Sequence, residues 1–88
     1  MSGPGLALHE LARAQWATVT EVLQPTQEVD QGLVLRLMEL GFVPGERVRI
    51  VAYGLGGADT LAVRIGRTTF ALRRSEAAFI RVQPDMSA

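Results

Sequence analysis

Residues 60–73 read TLAVRIGRTTFALR and predict the hairpin on which the rest of the fold depends. Two alternating runs flank Gly66 and Arg67, and a glycine in the first position of a two-residue turn suits a type II′ turn. That turn sets Ile65 opposite Thr68. A slip of one residue would mix apolar and polar residues on both faces, so the register is well specified. The apolar face consists of Leu61, Val63, Ile65, Phe70 and Leu72.

Three further segments alternate as strands do, over residues 16–23, 46–53 and 79–82. Residues 30–40 instead repeat leucine at i, i+4 and i+7, which predicts one amphipathic helix. Asp30 is predicted to cap the start of this helix, and Gly41 to end it in a left-handed conformation.

Five to six short strands with glycine-rich turns are typical of a small β-barrel, so the predicted class is all-β with one helix. The segment around Leu6, Leu8 and Leu11 is too short for a stable helix, and we expect a single turn over one end of the barrel. The predicted core is Leu37, Val48, Ile50, Leu61, Val63, Phe70, Leu72, Ile80 and Val82.

The length of 88 residues allows one domain. We predict that residues 6–84 form it, that residues 1–5 are a disordered lead and that residues 85–88 are a frayed tail. No apolar run approaches the roughly 18 residues of a membrane helix. A signal peptide begins with positive charge ahead of an apolar stretch, and the first five residues carry no positive charge. We therefore expect a cytoplasmic protein.

The residue types argue against catalysis and against a metal site within one molecule. Without cysteine, the chain can form neither disulfides nor thiolate–zinc sites. His9 is the only imidazole, and no nucleophile–base set can be assembled around it, so we predict no enzymatic activity and no cofactor. His9 and Glu10 could begin a metal site shared between two molecules, and a weak homodimer stays an open alternative.

Charge is unevenly distributed although the net charge is zero. Residues 1–46 carry six acids and two arginines, a net of −4, whereas residues 47–88 carry seven arginines and three acids, a net of +4. Solvated faces that offset one another explain this pattern simply. The alternative is a basic sheet surface that meets an acidic or phosphate-bearing partner.

Two motifs resemble the FeoA family. Residues 37–48, LMELGFVPGERV, contain a helix that ends in Leu-Gly, a spacer and a Pro-Gly that opens a strand. Residues 70–82, FALRRSEAAFIRV, contain an Ala-Leu-Arg strand, an alanine-bearing turn and an Ile-x-Val strand. The resemblance extends over nearly the whole chain. The sequence departs from the family pattern in the loop after Tyr53 and at Trp16, where we expect a small or polar residue.

The resemblance implies an SH3-like barrel and a role beside FeoB, the membrane ferrous-iron transporter with a cytosolic GTPase domain. Domains of this type also form the C-terminal part of DtxR-type metal-dependent repressors, so the alternatives are a related regulatory domain or a small barrel that binds nucleic acid. Exposed aromatic residues for base stacking are few, and we expect no nucleic-acid partner.

The surface that contacts the partner is predicted by analogy with SH3-like barrels that bind peptides in a groove edged by loops and aromatic residues. Tyr53 falls on the outward face of its strand if alternation buries Ile50 and Ala52. Leu55 lies in a glycine-flanked loop with little core to join. The candidate partner-binding residues are therefore Tyr53, Leu55, Arg49, Arg64 and Arg73.

Overall fold

The computed structural model of the protein describes residues 5–54, 57 and 59–85. It contains six strands and two α-helices in the order β1, β2, α1, β3, β4, β5, α2, β6. Their bounds are Leu6–Ala7 (β1), Trp16–Val22 (β2), Gln31–Leu40 (α1), Arg47–Tyr53 (β3), Thr60–Ile65 (β4), Thr68–Arg73 (β5), Arg74–Ala77 (α2) and Ile80–Pro84 (β6).

The six strands form one antiparallel sheet in the order β1-β6-β2-β3-β4-β5. This arrangement confirms the prediction of a small all-β barrel with one amphipathic helix. The sequence predicts five to six strands, and the structure has six. The sixth is β1, in which Leu6 pairs with Val82. It leads directly into a 3₁₀ turn, Leu8–Glu10, which buries Leu8 at one end of the core. Within the described residues no helix is long and apolar enough to cross a membrane.

The β4–β5 hairpin has the predicted register. Ile65 lies opposite Thr68, Val63 opposite Phe70, and Gly66 adopts φ +58° in the turn. Phe70 differs from the prediction because it is only half-buried, packing its ring 6.2 Å from that of Phe42. The reason is its position on β5, an edge strand whose side chains have a neighbour strand on one side only.

Helix α1 ends as predicted but begins differently. Gly41 has φ +116°, its N–H donates to the Met38 carbonyl, and the Phe42 N–H donates to the Leu37 carbonyl. This pair of bonds is a Schellman motif, and it turns Phe42 back into the core. The prediction that the Asp30 side chain caps the helix is wrong. A 3₁₀ turn, Glu28–Asp30, runs directly into α1, and its Glu28 carbonyl accepts the N–H of Gln31. Asp30 accordingly has helical backbone angles in place of the extended ones that an N-cap residue adopts.

Strand β3 contains a β-bulge that the sequence pattern does not predict. Ile50 pairs with Val63 and Ala52 pairs with Ala62, so Val51 is an extra residue in β3. Beyond the bulge the alternation is inverted. Tyr53 therefore lies opposite the buried Leu61, but its side chain is 40% exposed at the end of the strand. The predicted exposure of Tyr53 is confirmed although the regular alternation behind it is not, and Ala52, predicted to face inward, is only half-buried.

The core is apolar, with no buried polar or charged residue among those described. It gathers side chains from the first 3₁₀ turn, from α1 and from strands β2 to β6. Every residue predicted for the core contributes, with Phe70 at its edge. The largest fully buried side chains are Phe42, Leu8, Leu11, Leu37, Ile50, Leu61, Ile80, Val19, Val48, Val63 and Val82.

Candidate functional site

A row of one aromatic and two basic side chains crosses the outer face of the three central strands. Trp16 of β2 lies opposite Arg49 of β3, and Arg49 lies opposite Arg64 of β4. Residues opposite one another on antiparallel strands project on the same side of the sheet, with Cα atoms about 4.5–5.5 Å apart. The flanking Ile50 and Val63 are fully buried on the other side. The row is therefore on the solvent side of the barrel.

Two guanidinium groups lie over the Trp16 ring. The Cζ of Arg47 is 5.1 Å from the ring centroid and that of Arg49 is 5.2 Å, both within cation–π range. Arg47 also forms an ion pair with the Asp85 carboxylate. The four residues Trp16, Arg47, Arg49 and Arg64 are called the Trp16 patch below.

The predicted residues Arg49 and Arg64 thus belong together, whereas Arg73 does not join them. Arg73 of β5 lies opposite Thr60 of β4, whereas Arg64 of β4 lies opposite Thr69 of β5. The two arginines are therefore four residues apart along the hairpin, or about 13 Å. It lines a groove of about 400 Å³ between α1 and β5, together with Leu33, Arg36 and Phe70.

Tyr53 is 40% exposed, but its hydroxyl is hydrogen-bonded to the backbone. The O–H donates to the Leu11 carbonyl and lies 3.3 Å from the His9 carbonyl oxygen. Burial raises the pKa of the Tyr53 phenol, and the positive charge of Arg74 partly opposes this rise. The side chain therefore fastens the first 3₁₀ turn to the end of β3. Leu55, the other predicted anchor, lies outside the described residues.

A cleft of about 500 Å³ opens beside this contact. His9, Asp59, Arg73 and Arg74 line it, together with Ser75 and Ala78. The His9 Nδ1 atom is buried and makes no hydrogen bond to any described residue. No three His, Cys, Asp or Glu side chains come together anywhere in the described part of the chain.

Sequence reasoning did not place Trp16 and Arg47 at the candidate surface. Arg47 could have been found, because it is two residues from Arg49 on the same strand and must share its face. Trp16 was singled out only as a departure from the family pattern, and its place beside Arg49 could not be predicted, because the pairing joins strands separated by the whole of α1.

Comparison with known proteins agrees with the fold and assigns the family. FeoA from Stenotrophomonas maltophilia, solved in complex with zinc and described as a prokaryotic SH3 domain protein, is 44% identical to this chain. The match covers 89% of each chain with a TM-score of 0.77. The SH3-like fold implied by the sequence motifs is therefore confirmed. A search of curated proteins gave no match.

More distant structures share the fold alone. An FeoA-like protein from Clostridium acetobutylicum gives a TM-score of 0.80 at 22% identity, covering 99% of this chain and 94% of that one. IdeR of T. acidophilum gives 0.76 at 18% identity, covering 97% of this chain but only 36% of its own. The sequence profile of the FeoA domain matches residues 6–84. The chain accordingly belongs to the FeoA family, whose members are associated with ferrous-iron transport.

Proposed function

We propose that this protein is a cytosolic accessory of bacterial ferrous-iron uptake that acts by binding the cytosolic GTPase domain of an FeoB-type transporter. The observation that carries the proposal is the match to the FeoA domain over residues 6–84, together with 44% identity to the S. maltophilia protein. That relative is described as a candidate ferrous-iron transport activating factor.

The chemistry of the described residues favours binding over catalysis. The one imidazole, His9, has an unpaired Nδ1 but no neighbouring nucleophile or carboxylate within hydrogen-bond distance of it. Arginines line both described clefts. The protein therefore acts on its partner through contacts, with no reaction of its own.

The partner-binding residues are proposed in two separate places. Arg49 and Arg64 belong to the Trp16 patch, whereas Arg73 lines the cleft at His9 and the Tyr53 hydroxyl lies near the His9 carbonyl oxygen. A metal ion is not part of the proposal for the monomer, since zinc in the S. maltophilia structure is a property of that protein and no cluster of three ligands occurs among the residues described here.

The test is a binding measurement with purified components. The protein is immobilised, and the transporter's GTPase domain is passed over it without nucleotide, with GDP and with a non-hydrolysable GTP analogue. We expect saturable binding in the micromolar range, as for transient regulatory contacts of small area. An unrelated small GTPase in the same nucleotide states is the control. Failure to bind in all three states would overturn the proposal.

A further inference from the structure

We propose that the Trp16 patch is a docking surface for an acidic peptide segment of a protein partner, with carboxylates of that segment pairing with Arg49 and Arg64. The inference rests on the proposed function in one respect, since the partner that carries the segment is taken to be the transporter's cytosolic domain. The nature of the ligand is argued from the patch itself.

Arg49 and Arg64 repel one another. The two residues lie directly opposite one another on β3 and β4, and like charges in this position destabilise a sheet. The only ion pair between described residues is Arg47 with Asp85, so neither Arg49 nor Arg64 has an acidic partner there. The Nε atom of Arg49 is also buried without a hydrogen bond from described residues. An anion placed between the two guanidinium groups would turn this repulsion into attraction.

Both guanidinium groups are already held in place before any ligand binds. Arg49 lies over the Trp16 ring, and the Arg64 Nε donates to the Gly66 carbonyl oxygen at 3.0 Å. Neither contact uses the outer nitrogens of these side chains. Side chains fixed before binding lose less conformational entropy on binding, and the planar guanidinium forms paired hydrogen bonds with a carboxylate.

The Trp16 patch already binds a carboxylate from its own chain. Asp85, just beyond the end of β6, pairs with Arg47, and its N–H donates to the Trp16 carbonyl oxygen at 2.9 Å. An extended, acid-bearing segment therefore already lies along one edge of the patch. A second such segment beside Arg49 and Arg64 would repeat the same contact one strand further.

These features favour an acidic peptide over a nucleic acid. Single-stranded nucleic acids need free aromatic faces for stacking bases and a long basic groove for the phosphates. The one aromatic ring of the patch is covered by guanidinium groups, and the net charge of the chain is zero. The basic surface is also short, because it spans only three neighbouring strands about 4.8 Å apart.

The probe is a fluorescein-labelled hexaglutamate peptide, titrated by anisotropy at about 0.05 and 0.2 M salt. Trp16 is the only tryptophan, so its emission reports binding at the patch independently. Arg49→Ser/Arg64→Ser is the test variant. Arg36→Ser/Arg74→Ser is the charge-matched control, because Arg36 borders the groove between α1 and β5, Arg74 lines the cleft at His9, and neither belongs to the Trp16 patch. Unchanged circular dichroism and melting confirm that each variant is folded.

We expect the wild type to bind the peptide with a change in Trp16 emission, and more weakly at the higher salt. The test variant should bind at least about tenfold less tightly and the control within about twofold. Absence of binding by the wild type, or equal binding by the test variant, would overturn the proposal. Tighter, patch-dependent binding of a single-stranded oligonucleotide of equal charge would also overturn it, in favour of a nucleic-acid surface.

The transporter domain then separates the two proposals. If the wild type captures the domain and the test variant captures it equally, the docking surface is wrong and the proposed function stands. If the wild type captures no domain while still binding hexaglutamate through the patch, the proposed function is wrong and the surface serves another acidic partner.

Discussion

Truncating Phe42 tests whether the end of α1 holds the core together. Phe42 is fully buried and follows directly on the Schellman motif, so Phe42→Ala removes a whole ring from a closed space. The lost transfer free energy and the cavity that remains together cost about 3–5 kcal/mol for such a site. A small domain shifts its melting temperature by roughly 4–8 °C per kcal/mol, which predicts a decrease of at least about 12 °C.

Phe70 is the matched comparison, because its ring contacts that of Phe42 and has the same size. It is half-buried and borders the groove between α1 and β5, so its removal opens a space that water can enter. We expect Phe70→Ala to cost about 1–2 kcal/mol, near half the value for a buried ring and with little cavity contribution. Urea denaturation followed by circular dichroism measures both. If Phe42→Ala fails to fold, Phe42→Leu keeps the comparison measurable at about 1–2 kcal/mol. Equal losses at the two phenylalanines would refute the assignment of Phe70 to the edge.

Three further predictions concern single positions. Gly41→Ala should destabilise the protein by about 1 kcal/mol, because φ is +116° there. Gly32→Ala in α1 should stabilise it by about 0.5–1 kcal/mol, because the added Cβ meets no atom within 4 Å. Thermal melts measure both changes, and a change of the same sign for both variants would contradict the prediction. Tyr53 is the only tyrosine, and absorbance titration should give its phenol a pKa above the ordinary value of about 10. Because the pKa of Tyr53 is raised in the folded state, the associated stability is present below about pH 10 and is lost as the pH rises through the folded pKa. A titration midpoint at the ordinary value would contradict the raised pKa. Anaerobic calorimetry should show that the monomer binds ferrous iron no more tightly than millimolar, and a one-to-one micromolar site would contradict this prediction. His9→Gln should remove any metal held between two molecules without loss of fold.

The sequence predicted the parts of the fold that local chemistry determines. The β4–β5 register follows from Gly66 and from the alternation on either side of it, and both act within fourteen residues. The end of α1 follows from Gly41, because only glycine adopts that conformation without strain. These features are independent of how distant segments pack.

The errors arose where distant contacts decide the structure. The bulge at Val51 has no local signal, since valine, alanine and tyrosine all suit a regular strand. It arises in the pairing of β3 with β4, and it places Tyr53 opposite Leu61. The start of α1 was mispredicted because a 3₁₀ turn precedes the helix and gives Asp30 helical backbone angles, which an N-cap residue does not have.

The candidate site was predicted in fragments for the same reason. Arg49 and Arg64 were each recognised as outward-facing, yet their contact depends on the register between β3 and β4 across a loop. Trp16 joins them through the pairing of β2 with β3, which spans the helix. Whether these residues bind a partner stays a prediction, as does the role of Leu55.

The pairing of β1 with β6 has a consequence for how such a barrel is built into larger proteins. The two strands are antiparallel, with Leu6 beside Val82, so the start of the first strand and the end of the last lie side by side at one rim. The Arg81 guanidinium, bonded to the Gly5 carbonyl at 2.6 Å, holds them there. When the chain enters and leaves a barrel at neighbouring positions, the barrel can be inserted into a surface loop of another protein, or fused to its terminus, and stay folded. A permuted chain that joins these neighbours through a short glycine-serine bridge and opens at Gly66-Arg67 should therefore fold to the same barrel.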